Sequence, residues 1–264
     1  MSTAEVFAVD AFVRHECLGN IAGVCVPSAD LTEVDFQGIA ARFGAPETAF
    51  VFKKDKRFEI RWFTPEMEVD LCGHATLAAA ALIWRQEESL SLEEITFESK
   101  SGSLHCRKSE EGLIELDFPA LPVVEASPEP GLLTALGIQR PLFVGKSENY
   151  FLIEANDVST VLKLSPRFDL MKLLDSAGVF VTAKSAPPFD FVSRCFFPKE
   201  GIPEDPVTGS AHCSLGPYWR KKLSKDVLRA RQVSSRGGDI RITFKNARVI
   251  LGGRVRIHPG SVIV

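Results

Sequence analysis

Two stretches of this 264-residue chain follow one order of residues. The first runs Phe63-Thr64-Pro65, Cys72-Gly73-His74-Ala75 and Trp84; the second runs Phe197-Pro198, Thr208-Gly209-Ser210-Ala211 and Trp219. Each reads as an apolar strand ending in Phe, a proline-containing loop with acidic residues, then a glycine and a polar residue opening a helix. Either stretch alone is an ordinary strand-loop-helix connection. Together with the similar runs Phe97-Glu98-Ser99-Lys100-Ser101-Gly102 and Val233-Ser234-Ser235-Arg236-Gly237-Gly238, they point to duplication of a whole domain rather than to a solenoid.

The helix after Gly73 narrows the architecture. It carries Ala75, Leu77, Ala78, Ala79, Ala80, Ala81, Leu82 and Ile83, apolar nearly all round. A helix without a polar face must be enclosed, and the many short strand candidates around it make a curved sheet or barrel the expected enclosure. Those candidates include Glu5–Val13, Thr48–Phe52, Phe58–Phe63, Ile95–Glu98, Leu104–Arg107 and Leu113–Phe118 in the first half. In the second they include Leu142–Val144, Tyr150–Glu154, Val179–Thr182, Phe189–Phe197, Gln232–Ser235, Ile240–Phe244, Arg248–Leu251 and Arg254–Ile257. Thr32-Glu33-Val34-Asp35 resembles an N-cap with an acidic first turn and starts a further helix running to Phe43. Short helices are expected near Val158–Leu162 and Leu170–Leu174, and a longer one from Ser210 to about Lys221. Pro119 to Gly131 holds four prolines and is the best linker candidate, so the fold class is α+β in two halves, residues 1–120 and 121–256.

Composition removes several function classes. Hydrophobic residues at 45% and charged residues at 25% are globular usage, and a net charge of −3 with scattered Lys and Arg gives no footprint for nucleic acid. No apolar run reaches the ~20 residues of a membrane helix. Nothing near the first residues reads as a targeting segment, and the six cysteines form no C-x-x-C pair. A cytoplasmic protein with free thiols and a small-molecule ligand is the expectation. No dinucleotide fingerprint, phosphate loop or zinc-ligand spacing is present, so neither a cofactor nor a metal is expected.

The remaining chemistry is acid and base. A glycine where a loop enters a helix lets a ligand approach free backbone N–H groups, which with the helix dipole favour an anion. In Asp205-Pro206-Val207-Thr208-Gly209-Ser210-Ala211-His212 the hydroxyls of Thr208 and Ser210 add donors beside Gly209, and Asp205 adds an acceptor. The plain alternative is a capping Ser210 and a loop aspartate. His74, directly after Gly73, sits at a helix start that disfavours its protonated form. Glu47 lies in a loop feeding a strand; exposed, it is an ordinary surface carboxylate, whereas an apolar surround would raise its proton affinity toward general-base use.

Four ordered motifs carry a family resemblance: Gly19-Asn20 with a small apolar run, Glu47-Thr48-Ala49-Phe50-Val51, Cys72-Gly73-His74-Ala75-Thr76-Leu77-Ala78, and Asp205 through His212. Together they resemble the phenazine-biosynthesis PhzF-like isomerases over nearly the whole chain. The resemblance implies a diaminopimelate-epimerase-like fold of two pseudo-symmetric halves, each wrapping a sheet around a central helix. It also implies an active site in the cleft between the halves, a homodimer, and a last strand, about 257–264, returning to the first half. Glu47 matches the family's catalytic glutamate; His74, Asp205 and Ser210 match its other polar site residues. Gly73 and Gly209 match positions whose backbone faces a small carboxylate substrate, with Asn20 and Thr208 beside them. The implied reaction is a cofactor-independent proton shift, as on a 2,3-dihydro-3-hydroxyanthranilate-type substrate. Ile21 departs from the proline frequent there.

Two other readings compete. Related epimerases use one cysteine at each junction; Cys72 stands at the first, but the second offers no thiol until Cys213. The other reading is a non-catalytic ligand-binding protein on the same scaffold, which would have no need for the full polar set.

Overall fold

In the computed structural model, which describes residues 3–27, 31–54, 57–86 and 91–264, the chain groups into two units. One holds Met1–Asp117 with Gly252–Val264, the other Phe118–Leu251.

The first unit opens with strands β1 (Glu5–Ala11) and β2 (Asn20–Cys25), helix α1 (Glu33–Phe43), and strands β3 (Glu47–Lys54), β4 (Arg57–Phe63) and β5 (Glu68–Val69). Helix α2 (Gly73–Trp84) and strands β6 (Glu94–Ser99), β7 (Gly102–Lys108) and β8 (Ile114–Pro119) follow. The second unit contains β9 (Val124–Glu125), α3 (Leu132–Leu136), β10 (Phe143–Ser147), β11 (Tyr150–Glu154), α4 (Val158–Leu162), α5 (Phe168–Met171) and β12 (Gly178–Lys184). It continues through β13 (Phe191–Phe197), β14 (Ile202–Asp205), α6 (Gly209–Leu223), β15 (Val227–Gln232), β16 (Gly238–Lys245) and β17 (Arg248–Gly253). The chain then returns with β18 (Val255–Ile257) and β19 (Val262–Ile263), both antiparallel to β1.

The pairing repeats between the units. β1 and β2 are antiparallel, β2 and β3 parallel across α1, β3 and β4 antiparallel, and β4 and β6 parallel across α2. In the second unit β10 and β11 are antiparallel, β11 and β12 parallel across α4 and α5, β12 and β13 antiparallel, and β13 and β15 parallel across α6. Two copies of one topology are what the matched motifs predict.

Each repeat is built on one buried helix. Every residue of α2 except Ala81 is buried, and the helix packs on β1, β2, β3 and β18, which is the enclosure its missing polar face demands. Beside it, Phe36 and Phe63 pack around Phe50 with ring centroids 4.7 and 5.5 Å away. In α6 Gly209, Ala211 through Gly216 and Trp219 are buried; the Trp219 ring stacks on Phe191 at 5.5 Å and its Nε1 donates to Thr182 Oγ1 at 2.9 Å. Its last turn carries Arg220, Lys221 and Lys222, basic residues that complement the helix C-terminus. Thr32 starts α1 as expected, with Asp35 accepting from its N–H and its hydroxyl.

Three sequence expectations need revision. The proline-rich stretch after Pro119 is no loose linker: Ala120 N–H donates to the Ala247 carbonyl, Leu121 N–H to that of Cys213, and β9 pairs with β10. Its second bond has a covalent origin, because Pro217 lacks an N–H and leaves the Cys213 carbonyl without its helical donor. The strand expected over Gln232–Ser235 ends at Gln232, since the alternation that buries Leu228, Ala230 and Gln232 starts earlier, at Val227. The helix expected at Leu170–Leu174 lies two residues earlier, over Phe168–Met171.

Candidate active site

The first junction assembles from three elements of one unit. Gly19 has φ +73°, and a Cβ there would stand 2.3 Å from the Ala11 carbonyl oxygen, so only glycine allows the turn that sets Asn20 opposite Ala11 at the start of β2. Parallel pairing then puts Ala22 opposite Glu47, the first residue of β3. Asn20 and Glu47 therefore leave neighbouring strands at the same end. His74 is the second residue of α2, which packs on both strands.

These side chains meet. His74 Nδ1 lies 3.2 Å from Asn20 Nδ2 and 3.5 Å from Cys72 Sγ, while His74 Nε2 lies 3.4 Å from Glu47 Oε2. His74 is 5% exposed and Glu47 13%. Burial lowers the histidine pKa to about 4 against a smaller opposing pull from the Ile21 backbone, so the ring is neutral at pH 7. Sequence reasoning reached the neutral ring by way of the helix dipole; desolvation is the larger cause. If Nδ1 accepts from the Asn20 amide, the single ring proton is on Nε2, the nitrogen nearer the carboxylate.

Glu47, Cys72 and His74 bring one potential metal-ligand atom each within 4.8 Å of one another, a grouping that spacing along the chain does not reveal because Glu47 arrives from another strand. As a chelate the set is poorly arranged. The thiol and the carboxylate flank different nitrogens of one imidazole, and the positive end of α2 begins at the same residues. The Asn20–His74 contact is within hydrogen-bond reach, whereas His74 Nε2 and Glu47 Oε2 approach at 3.4 Å without a hydrogen bond.

The second junction is built around Thr208, and its polar atoms are spoken for. Its N–H donates to Gln232 Oε1 at 2.9 Å, its hydroxyl donates to Asp205 Oδ2 at 2.5 Å, and its carbonyl accepts from His212 Nδ1 at 2.7 Å. Gln232 Nε2 donates to the Asp205 carbonyl at 2.7 Å and also reaches Thr208 Oγ1 at 3.2 Å. Burial lowers the His212 pKa to about 4, so it too is neutral. Thr208, expected as a direct substrate contact, thus holds the turn together. Ser210 is not the helix cap: Thr208 occupies that position, Gly209 begins α6, and Ser210 is exposed on its first turn. Asp205 is buried at the end of β14.

Sequence reasoning missed Gln232 and gave His212 no role. The signal for Gln232 was available: β15 buries every second residue, and a glutamine on the buried face of an alternating strand needs a polar partner.

Comparison with known proteins places the chain in a family. Residues 9–264 match the phenazine biosynthesis-like protein family PhzC-PhzF. The chain belongs to that family. An uncharacterized isomerase of Halalkalibacterium halodurans is 44% identical over 256 residues, covering 96% of each chain. A crystal structure of a PhzF-family phenazine biosynthesis protein from Enterococcus faecalis superposes with a TM-score of 0.91 at 40% identity over the whole of both chains. A predicted epimerase from Pseudomonas aeruginosa, at 20% identity and a TM-score of 0.77 over 99% of this chain, shares the fold. The family thus supports an isomerase, and among the described residues no helix is long and apolar enough to cross a membrane.

Proposed function

We propose that this protein is a cofactor-independent isomerase that moves a hydrogen between carbon atoms of a small unsaturated carboxylate, with Glu47 as base and then acid. The observation that carries the reading is the placement of the mostly buried Glu47 carboxylate 3.4 Å from the Nε2 of a neutral histidine at a helix start. A neutral imidazole beside the carboxylate supplies no cation that would hold it ionised. The carboxylate takes the proton from one carbon, becomes the acid, and returns the proton to another carbon of the same conjugated system. The first N–H groups of α2, beside Glu47 and His74, suit the substrate carboxylate, and the start of α6 at Gly209 offers an anion site of the same kind within its own unit. In the second unit Asp205 is held by Thr208 and backed by Gln232.

Proton exchange by paired cysteines fits less well. Cys72 is the cap residue of α2, but the corresponding residue of α6 is Thr208, and burial pushes the Cys213 thiol up to about 12. That proton stays on sulfur at neutral pH.

Incubation in deuterated water with a 2,3-dihydro-3-hydroxyanthranilate-type substrate tests the proposal. The wild-type protein should isomerise it, and Glu47→Gln, which removes the transferable proton but little volume, should lower turnover by at least ~10³-fold while still binding substrate. Unchanged turnover in that variant removes Glu47 from the mechanism. Binding by the wild type with no isomerisation or exchange on any carboxylate tried would favour a binding protein.

A further inference from the structure

Buried tryptophans ordinarily place the indole N–H on an acceptor. Two of the three here do so: Trp84 Nε1 donates to the Leu92 carbonyl and Trp219 Nε1 to Thr182 Oγ1, each at 2.9 Å. Trp62 does not. It is 1% exposed, and its Nε1 is buried without a hydrogen-bond partner among the described residues. An indole N–H can only donate, so what answers it is an acceptor that comes within reach.

Strand register narrows the choice. Trp62 on β4 stands opposite Ala49 on β3, while the next pair, Thr48 and Phe63, turns to the other face, where Phe63 and Phe50 pack on Phe36 of α1. Glu47 shares the face of Ala49 and Trp62, and its carboxylate approaches His74 of α2 there. It stands diagonal to Trp62, about 7–8 Å away between Cα atoms, a gap that a glutamate and an indole together span. The other buried residues of this face on β3 and β4, Ala49, Val51, Phe58 and Ile60, carry no polar side-chain atom. On its second flank Trp62 pairs with Val69, so it lies between the strand that carries Glu47 and the loop that leads to Cys72 and His74.

We infer that Trp62 is a positioning residue for Glu47: its indole N–H steadies the carboxylate when that side chain turns away from His74. The inference deepens the proposed base role of Glu47 and rests on it. A carboxylate that takes a proton from one carbon and returns it to another needs two orientations, and the side-chain torsions of a glutamate supply them. In the orientation seen, Oε2 lies 3.4 Å from His74 Nε2 and the Trp62 N–H is idle. In the other, a donor fixed in the sheet meets the ionised oxygen, and such a charge-assisted hydrogen bond is about twice as strong as a neutral one. The indole is enclosed by packing, so the donor keeps its place while the carboxylate moves.

NMR of the tryptophan indole groups in the full-length protein needs no ligand. Phe substitutions at the tryptophans assign the three N–H resonances, and any two of the variants suffice. Side-chain turning is fast enough to average into one resonance for each indole. Glu47→Gln keeps the side-chain volume and removes the charge, so it should move the Trp62 resonance upfield while those of Trp84 and Trp219 hold. An unmoved Trp62 resonance, or equal movement of all three, overturns the inference. With a 2,3-dihydro-3-hydroxyanthranilate-type substrate, Trp62→Phe keeps an aromatic ring but no donor and should lower kcat ~10-fold with KM within about twofold of wild type. A wild-type kcat, or a KM that rises as kcat falls, as loose packing alone would give, overturns it. Should Trp62→Phe fail to fold, the resonance shift in Glu47→Gln decides alone. Wild-type protein without turnover counts against the proposed function, and the same shift then judges Trp62.

Discussion

Lowering the pH from 7 to 5 should destabilise this protein through two buried histidines. His74 and His212 are buried and neutral, each with a pKa lowered from 6.5 to about 4. Between those values the unfolded chain binds protons that the folded chain excludes, so the stability these groups contribute is complete above pH 6.5 and is lost as the pH falls toward 4. At pH 5 the gain of the unfolded state is about 2 kcal/mol per histidine, or about 4 kcal/mol for the pair. Glu68 is the opposite sort of group: hydrogen bonding from Arg61 holds it at about 2, and its contribution fades only below its ordinary value of 4.5. Urea unfolding at pH 7, 6 and 5 reads the difference by tryptophan fluorescence. Trp62 and Trp84 report the unit containing His74, and Trp219 the unit containing His212; all three are buried. His212→Asn keeps a donor in the place of Nδ1 and removes the titration, so the pH-linked loss seen by Trp219 should shrink by about 2 kcal/mol. Equal urea midpoints at pH 7 and 5 would refute the assignment of both rings as buried and neutral.

Two further substitutions test the junctions. Gly209→Val puts a branched side chain where the backbone of α6 should meet the ligand, and is expected to weaken anthranilate binding by ~10-fold or more; wild-type affinity in a folded variant argues against the anion site. Asn20→Ala removes the amide beside His74 Nδ1 at a cost of about 1 kcal/mol in stability, and should lower kcat by ~10-fold with little change in KM. A kcat equal to wild type in that variant would show that orientation of the imidazole is irrelevant to turnover.

How much of this was legible in the sequence depends on the residue. α2 was readable because an alanine-rich helix without a polar face has no stable place except inside a sheet. The repeat was readable because glycine and tryptophan recur at matched places around both buried helices. The stretch after Pro119 was misread: prolines remove donors, which suits a strap docked along a surface as well as a free linker, and its acceptor on Cys213 exists only because of a proline almost a hundred residues later. Glu47 offered no physical signal of its own, since its neighbours Asn20 and His74 are set by strand pairing and helix packing, and it was found through family resemblance. Gln232 was passed over because its strand was drawn too late, which hid the alternation that turns its amide inward.

The unit holding Glu47 and His74 is completed by strands that follow the other unit in sequence, with β18 and β19 lying along β1. During synthesis β1 therefore waits, one flank bare, until every residue of the other unit has been made. An unoccupied flank of this kind is a docking place for any foreign strand. The buried helix α2 also packs on β18. Residues 255–263 thus act as a seal, and the half carrying Glu47 and His74 matures only after they have been made.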